Sequence, residues 1–299
     1  MKHFEVNKMQ LSINHSYFQK QYQSTQRYGY EHSIKLCKDA GFGFIDFGLG
    51  GKTLDRNIIL RDNPQKEAEA MRELCEKLGV SVNQTHARYD YKNLTPEEFE
   101  RQLKQTVEVS KILGADCVVV HADTYYDTEF RFDFDTVLNT IYETYAPIVE
   151  RAKKVGIKIA METLFEDRAP QGKRARFTSY VDELDAIVSK FNDEAVGICW
   201  DFGHARVSHG PNQFEEMKKV GGKIISTHVH DNYQKKDLHL MPFLGETNWE
   251  LGMKTLKEIG YNGHLTFEAV YGCMPDCLVM DYLKLWHKVG RYLVGCFEK

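Results

Sequence analysis

The sequence predicts a single (β/α)8 barrel, the TIM-barrel form of the α/β class, over residues 1–299. Two observations lead there. Short β-rich apolar runs alternate with helical patterns along the whole chain, and eight such units can be counted, which favours a closed barrel over an open sheet. Several helices also stop at a glycine just before the next strand, in AGFGF, LGVSV, VGIKI and GYNGHL.

The expected strands are KMQLSIN (8–14), FGFIDFG (42–48), VSVNQTH (80–86), DCVVVHA (116–122), IKIAMET (157–163), VGICWDF (196–202), IISTHVH (224–230) and HLTFEAV (264–270). Helices are expected near 27–40, 64–78, 95–113, 133–155, 177–190, 211–220, 247–259 and 276–296. The third shows its punctuation most clearly. Thr95 can cap it, Pro96 suits its first turn, Glu98 can complete a capping box, and Gly114 follows as a stop. Phe99, Leu103, Val107 and Leu113, with small Ser110, share one face.

Composition narrows the function classes. Apolar residues make up 42% of the chain, enough for a sizeable core, and the formal net charge of −4 gives no global field that recruits nucleic acid. No apolar run is long enough to cross a membrane. The start, MKHFEVNKMQ, lacks the apolar core of a secretory signal. The 7 cysteines form no CxxC pair and suit reduced thiols in a cytoplasm, with Cys117 and Cys199 expected as small core residues.

Barrels of this form carry function where their strands end. Here the strand ends read His86, His121, Glu162, Asp201 with His204 three residues on, His228, and Glu268. Carboxylates that interrupt apolar runs such as IAMET and LTFEAV are costly unless paired or bound to a cation. A divalent ion would give Glu162, Asp201, His228 and Glu268 a common partner. That mixed oxygen and nitrogen set accepts Mn2+, Mg2+, Co2+ or Zn2+. Asp201 could instead cap the helix-like turn in DFGHAR. His15, just past the first strand, is a further candidate to line the site. In THVHDNYQKKDLHL, His230 is expected to face away from the site, and Asp237 and His239 to form a loop pair beside it.

These pieces resemble a known family. LGADCVVVHAD, IKIAMETL, GICWDFGHA, HVHDN, DLHL and GYNGHLTFE are similar to motifs of the xylose-isomerase-like TIM barrels. These form the sugar phosphate isomerase/epimerase superfamily, which also contains endonuclease IV. In the sugar branch one metal is held by Glu, Asp, His and Glu, which the resemblance places at Glu162, Asp201, His228 and Glu268. The two glutamates there act as the acid/base pair, and the position of His204 contacts substrate oxygen. In endonuclease IV nine ligands hold three zinc ions. The same types occur here in the same order as His86, His121, Glu162, Asp201, His204, His228, Asp237, His239 and Glu268. Departures around HAD, MET, WDFGH and MPFLGET weigh against the nuclease.

The expected function is therefore a divalent-metal-dependent sugar or polyol isomerase or epimerase working through an enediolate. A three-zinc abasic-site endonuclease is the alternative. Glu162 and Glu268 are the expected catalytic pair. His86, His121, His204, Asp237, His239, Arg88, Glu166 and Trp249 are the expected substrate-binding residues. Additional zinc at His86, His121, His204, Asp237 and His239 belongs to the alternative. Tyr89, Phe165 and Arg168 could line the rim, and RYDYK, QGKRARF and QKK are candidate basic patches. The expected partner is a small carbohydrate, with neither membrane nor nucleic acid, and the resemblance implies association into homo-oligomers.

Overall fold

The computed structural model describes residues 9–15, 29–51, 57–88, 94–122, 133–166, 176–233, 236–269 and 274–299. Eight parallel strands run in the order β7-β6-β5-β4-β3-β2-β1-β8. They are β1 (Leu11–Asn14), β2 (Phe44–Gly48), β3 (Ser81–His86), β4 (Cys117–Val120), β5 (Lys158–Glu162), β6 (Val196–Asp201), β7 (Ile224–His228) and β8 (Leu265–Phe267). A parallel bridge between Val229 and Phe267 joins the two ends of the sheet, so the strands close into a barrel.

The helices are α1 (Tyr30–Asp39), α2 (Pro64–Leu78), α3 (Pro96–Leu113), α4 (Phe134–Val155), α5 (Val181–Phe191), α6 (Phe202–His209), α7 (Gln213–Val220), α8 (Trp249–Glu258) and α9 (Asp276–Glu298). Helix α3 follows its local signals. Thr95 accepts the Glu98 amide, and Gly114 closes the helix at φ 86°, a left-handed conformation that glycine adopts without steric cost. Its apolar face, Phe99, Leu103, Val107 and Leu113, is buried. The Glu98 carboxylate is taken by Arg101 and Gln102.

Helix α6 is the main departure from the sequence reading. It starts directly after β6 and precedes the helix expected at 211–220. Its short, mixed sequence FGHARVSH carries no clear apolar stripe. The nucleation comes from Asp201, whose Oδ1 accepts the His204 amide at 2.7 Å.

The core has two parts. The larger lies between barrel and helices and includes Trp200, Phe202, Phe267 and Trp286, all fully buried. Inside the barrel, Cys117, Val119, Ala160 and Cys199 form a small cluster, as expected of the two cysteines. Burial pushes the Cys199 thiol up to about 11 and Cys117 higher still, so both are inert thiols. The rest of the interior is polar. Ser12 donates to Asn83 Oδ1 at 2.6 Å, Asn83 Nδ2 to Thr266 Oγ1 at 3.1 Å, and Thr266 to Gln84 Oε1 at 3.2 Å. Gln84 Nε2 in turn donates to Asp46 Oδ2 at 3.1 Å. This chain of hydrogen bonds rises through the barrel and ends beneath the strand C-termini.

Candidate active site and metal centre

Strand register brings the expected carboxylates and histidines to one level. Glu162 pairs with Cys199 and Asp201 with His228, so β5, β6 and β7 end together. Glu162 sits at the centre. Its Oε2 accepts from His86 Nε2 at 3.0 Å and lies 3.0 Å from His121 Nε2. Its Oε1 lies 3.3 Å from His204 Nδ1 and 3.4 Å from His228 Nδ1. Burial opposes its ionisation, but the His121 and His228 charges and the histidine hydrogen bonds hold its carboxyl well below the usual range.

His228 shows how the site is aimed. Its ring is fully buried, and Nε2 lies 3.3 Å from Asp46 Oδ2, an acceptor, so Nε2 must carry the proton. Nδ1 then faces Glu162, Asp201 Oδ2 at 3.7 Å and Glu268 Oε2 at 3.7 Å. Without a cation, burial disfavours the charged ring but the surrounding Cys199, Glu162, Glu268 and Asp46 raise its pKa well above the ordinary value. Asp46 joins this cluster through His228 and was not among the side chains expected there. The signal was present in FGFIDFG, a lone carboxylate in an apolar strand. It stands in register with Asn14 on β1 and faces the barrel interior.

His230 overturns the expectation that it faces away. Residues two apart on an extended chain share a face, so His230 points inward with His228. It is fully buried, and its Nε2 donates to Asp201 Oδ2 at 3.1 Å. Asp201 therefore both caps α6 and faces the site.

The loop between β7 and α8 supplies the rest. His204 donates Nδ1 to the Thr163 carbonyl at 2.8 Å, leaving Nε2 3.6 Å from Asp237 Oδ2. His239 has Nδ1 3.2 Å from the Glu268 carbonyl and Nε2 3.1 Å from Asp237 Oδ2. Burial works against a charged His239, yet Glu268 and Asp237 bring its pKa up to about 9. Asp237 is pulled far below the carboxylate range, since His204 and His239 outweigh its own burial.

Asp231 holds this loop in place. It is fully buried and accepts from the amides of Asn232 (2.9 Å), Phe243 (3.1 Å), Gly245 (3.2 Å) and Thr247 (3.1 Å), and from Trp249 Nε1 at 2.8 Å. Trp249 thus departs from its expected rim position. Its ring is buried against Phe202 at 5.3 Å with its N–H bonded inside the loop, and that burial leaves no face for a sugar.

Among the other expected residues, Glu166 accepts the Arg176 amide at 3.0 Å, and Phe165 packs 4.7 Å from the His204 ring. Arg88 is half-buried after β3. His15 is buried against Phe47 at 4.4 Å, and burial lowers its pKa to about 4, so it is a neutral packing histidine. Tyr89 and Arg168 lie outside the described residues, as do most of the three basic patches.

The donors fit a divalent metal. Three groups bring ligand atoms within 4.8 Å of one another: Glu162, Asp201, His228 and Glu268; His86, Glu162 and His228; and His204, His230, Asp237 and His239. His228 Nδ1, His230 Nδ1, Asp237 Oδ1 and Glu268 Oε2 are buried atoms without a hydrogen-bond partner. Each belongs to one of these groups, and each is the kind of atom that binds metal. Tetrahedral bonds of about 2.0–2.1 Å set neighbouring donors roughly 3.4 Å apart, close to the separations around His228. Most of these histidines also anchor one ring nitrogen on a carbonyl or carboxylate and aim the other at the group, the arrangement that fixes a metal-binding tautomer.

Gly203 is required by this packing. A Cβ there would lie 1.9 Å from the His230 ring. Gly203→Ala is expected to cost about 1–3 kcal/mol in urea unfolding and to displace His230 from Asp201. Unchanged stability would refute that steric account.

A family model described as "Xylose isomerase-like TIM barrel" matches residues 34–284. The chain belongs to the xylose isomerase-like TIM barrel family. The uncharacterized protein MJ1311 of Methanocaldococcus jannaschii is 31% identical over 213 residues, covering 68% of this chain and 69% of that protein. Among solved structures, a D-tagatose 3-epimerase-like protein superposes with TM-score 0.71 at 22% identity, covering 95% of this chain and 99% of that one. The IOLI protein with a bound zinc atom superposes with TM-score 0.75 at 17% identity, covering 97% and 99%. At such identities the likeness to these two structures shows the barrel fold.

Proposed function

We propose that the protein is a divalent-metal-dependent isomerase or epimerase of a carbohydrate, moving a proton between faces or neighbouring carbons of a keto-sugar. The observation that carries this reading is the convergence of Glu162, at the end of β5, and Glu268, just after β8, on His228 Nδ1 at 3.4 and 3.7 Å. The names of similar structures, among them D-psicose 3-epimerase with D-fructose and L-ribulose 3-epimerase, support the substrate class.

Glu162, Asp201, His228 and Glu268 would hold a divalent cation, which would supply Lewis acidity that acidifies the C–H beside a substrate carbonyl. Glu268 has the free oxygen, since its Oε2 lacks a hydrogen-bond partner, and it takes that proton. The C–H electron pair passes to the carbonyl oxygen and gives an enediolate. For transfer to the adjacent carbon, Glu268 returns the same proton; for epimerisation, Glu162 relays to the opposite face a proton taken from the His86 Nε2–H that it accepts at 3.0 Å, and His86 regains one from solvent as Glu268 gives up its own. His204 and the Asp237–His239 pair border the same space and hold substrate oxygens.

A second reading is favoured by one specific observation. His204, His230, Asp237 and His239 form a complete N3O donor set of their own, and that set suits zinc. With the group around His86, it allows a multinuclear centre and metal-assisted phosphodiester hydrolysis.

Elemental analysis of the purified protein, run beside a ketose screen and an abasic-DNA cleavage assay, tests both. One ion per chain with metal-dependent ketose interconversion is the expected result. Two or three zinc ions with DNA cleavage and no sugar turnover would replace the first reading by the second.

A further inference from the structure

Among the described residues, no donor in the three metal-capable groups comes from β1 or β2. Strand β2 nevertheless turns one carboxylate into the barrel. Asp46 is 3% exposed and stands between Ile45 and Phe47 of the larger core. A buried carboxylate costs stability unless its oxygens are bonded, and Asp46 Oδ1 accepts no hydrogen bond. Its bonding falls on Oδ2, which accepts from Gln84 Nε2 at 3.1 Å and from His228 Nε2 at 3.3 Å. Packing alone gives no reason for a carboxylate here; its partner His228 does.

The other partner of Asp46 is fixed in turn. Gln84 Oε1 accepts from Ser226 Oγ, from Thr266 Oγ1 at 3.2 Å and from Asn83 Nδ2 at 3.3 Å. Ser226 and Thr266 reach it from β7 and β8, across the barrel from β3. These bonds set which end of the amide faces down and leave Nε2 aimed at Asp46. A circuit results. Ser226 stands two residues before His228 on β7, so the path Ser226–Gln84–Asp46–His228 leaves that strand through the interior and returns to it. All four side chains are buried. A ring held in this way cannot turn over without breaking a hydrogen bond in a space closed to water. Its Nδ1 stays directed at Glu162, Asp201 and Glu268.

We propose that Asp46 is a positioning residue that sets the affinity of the site for its cation by holding His228. It lies outside every donor group and acts only through the imidazole. The carboxylate keeps the proton on Nε2, fixes the plane of the ring and makes Nδ1 a stronger donor. Gln84 holds the carboxylate in that task. The inference rests on the reading that a divalent cation binds among Glu162, Asp201, His228 and Glu268, and it holds for either reaction considered above.

Titration of the metal-free full chain with Zn2+ against a chromophoric chelator tests this. Asp46→Ala is expected to raise the dissociation constant about 10–100-fold, with an unchanged far-UV spectrum. Asp46→Asn keeps the shape and one acceptor oxygen but not the charge, and is expected to raise it about three- to tenfold. Loaded with Co2+, both variants are expected to show shifted visible bands, because the imidazole ligand has moved; a loosened barrel with its ligands in place would leave those bands unchanged. If the alanine variant does not fold, the asparagine variant decides alone. An Asp46→Asn protein that binds Zn2+ within about twofold of the wild type and keeps its cobalt spectrum would overturn the role of Asp46 and leave the metal-dependent reading standing. A wild type that binds neither ion would overturn both.

Discussion

Glu268→Gln is expected to lower kcat for ketose interconversion by about 10²–10⁴-fold while the barrel stays folded. The carboxylate sits at the mouth of the site, 16% exposed, and its Oε2 supports no hydrogen bond. Replacing it with an isosteric amide therefore removes a proton acceptor without breaking the packing. The amide oxygen can still approach a cation, so metal content should fall less than turnover does. Glu162→Gln is expected to lose activity to at least the same degree and stability as well. Its oxygens meet His86, His121, His204 and His228, and an amide must set an N–H2 against one pair of those donors. Steady-state kinetics and thermal unfolding of both variants separate these effects. Turnover by Glu268→Gln within tenfold of the wild type would remove Glu268 from the proton path.

The largest expected loss of stability belongs to Asp231→Ala, at about 3–5 kcal/mol. One buried carboxylate here accepts five hydrogen bonds, four from loop amides and one from the Trp249 indole. Alanine leaves those donors without an acceptor in a site closed to water. It also frees the segment that carries Asp237 and His239 toward His204. Asp231→Asn is expected to be milder but still destabilising, because one acceptor oxygen becomes a donor facing other donors. Urea unfolding measures the difference. A raised KM for ketose with unchanged metal content in a still-folded Asp231→Asn protein would show that the loop, rather than the barrel, positions Asp237. A loss under 1 kcal/mol in the alanine variant would contradict the role given to Asp231.

Much of this site is written into the order of residues along the chain. A strand that ends in a charged residue after an apolar run identifies itself, and Glu162, Asp201, His228 and Glu268 all do so. The caps at Thr95 and Gly114 are equally local. Asp46 was harder to see, because its importance lies in a partner, His228, on a strand far away in sequence. In sequence Trp249 reads as a rim aromatic, but its indole bonds Asp231 inside the loop. The face of His230 follows from the strand period alone.

The amino-acid order alone determined that strands and helices alternate to form a barrel, and which side chains stand at its functional end, because periodicity, caps and strand termini are short-range properties. Tertiary structure decided which of those side chains share an atom-sized space and which nitrogen of each histidine is aimed at the carboxylates. Those outcomes depend on strand register and on closure of the barrel, which bring together groups as far apart as Asp46 and His228.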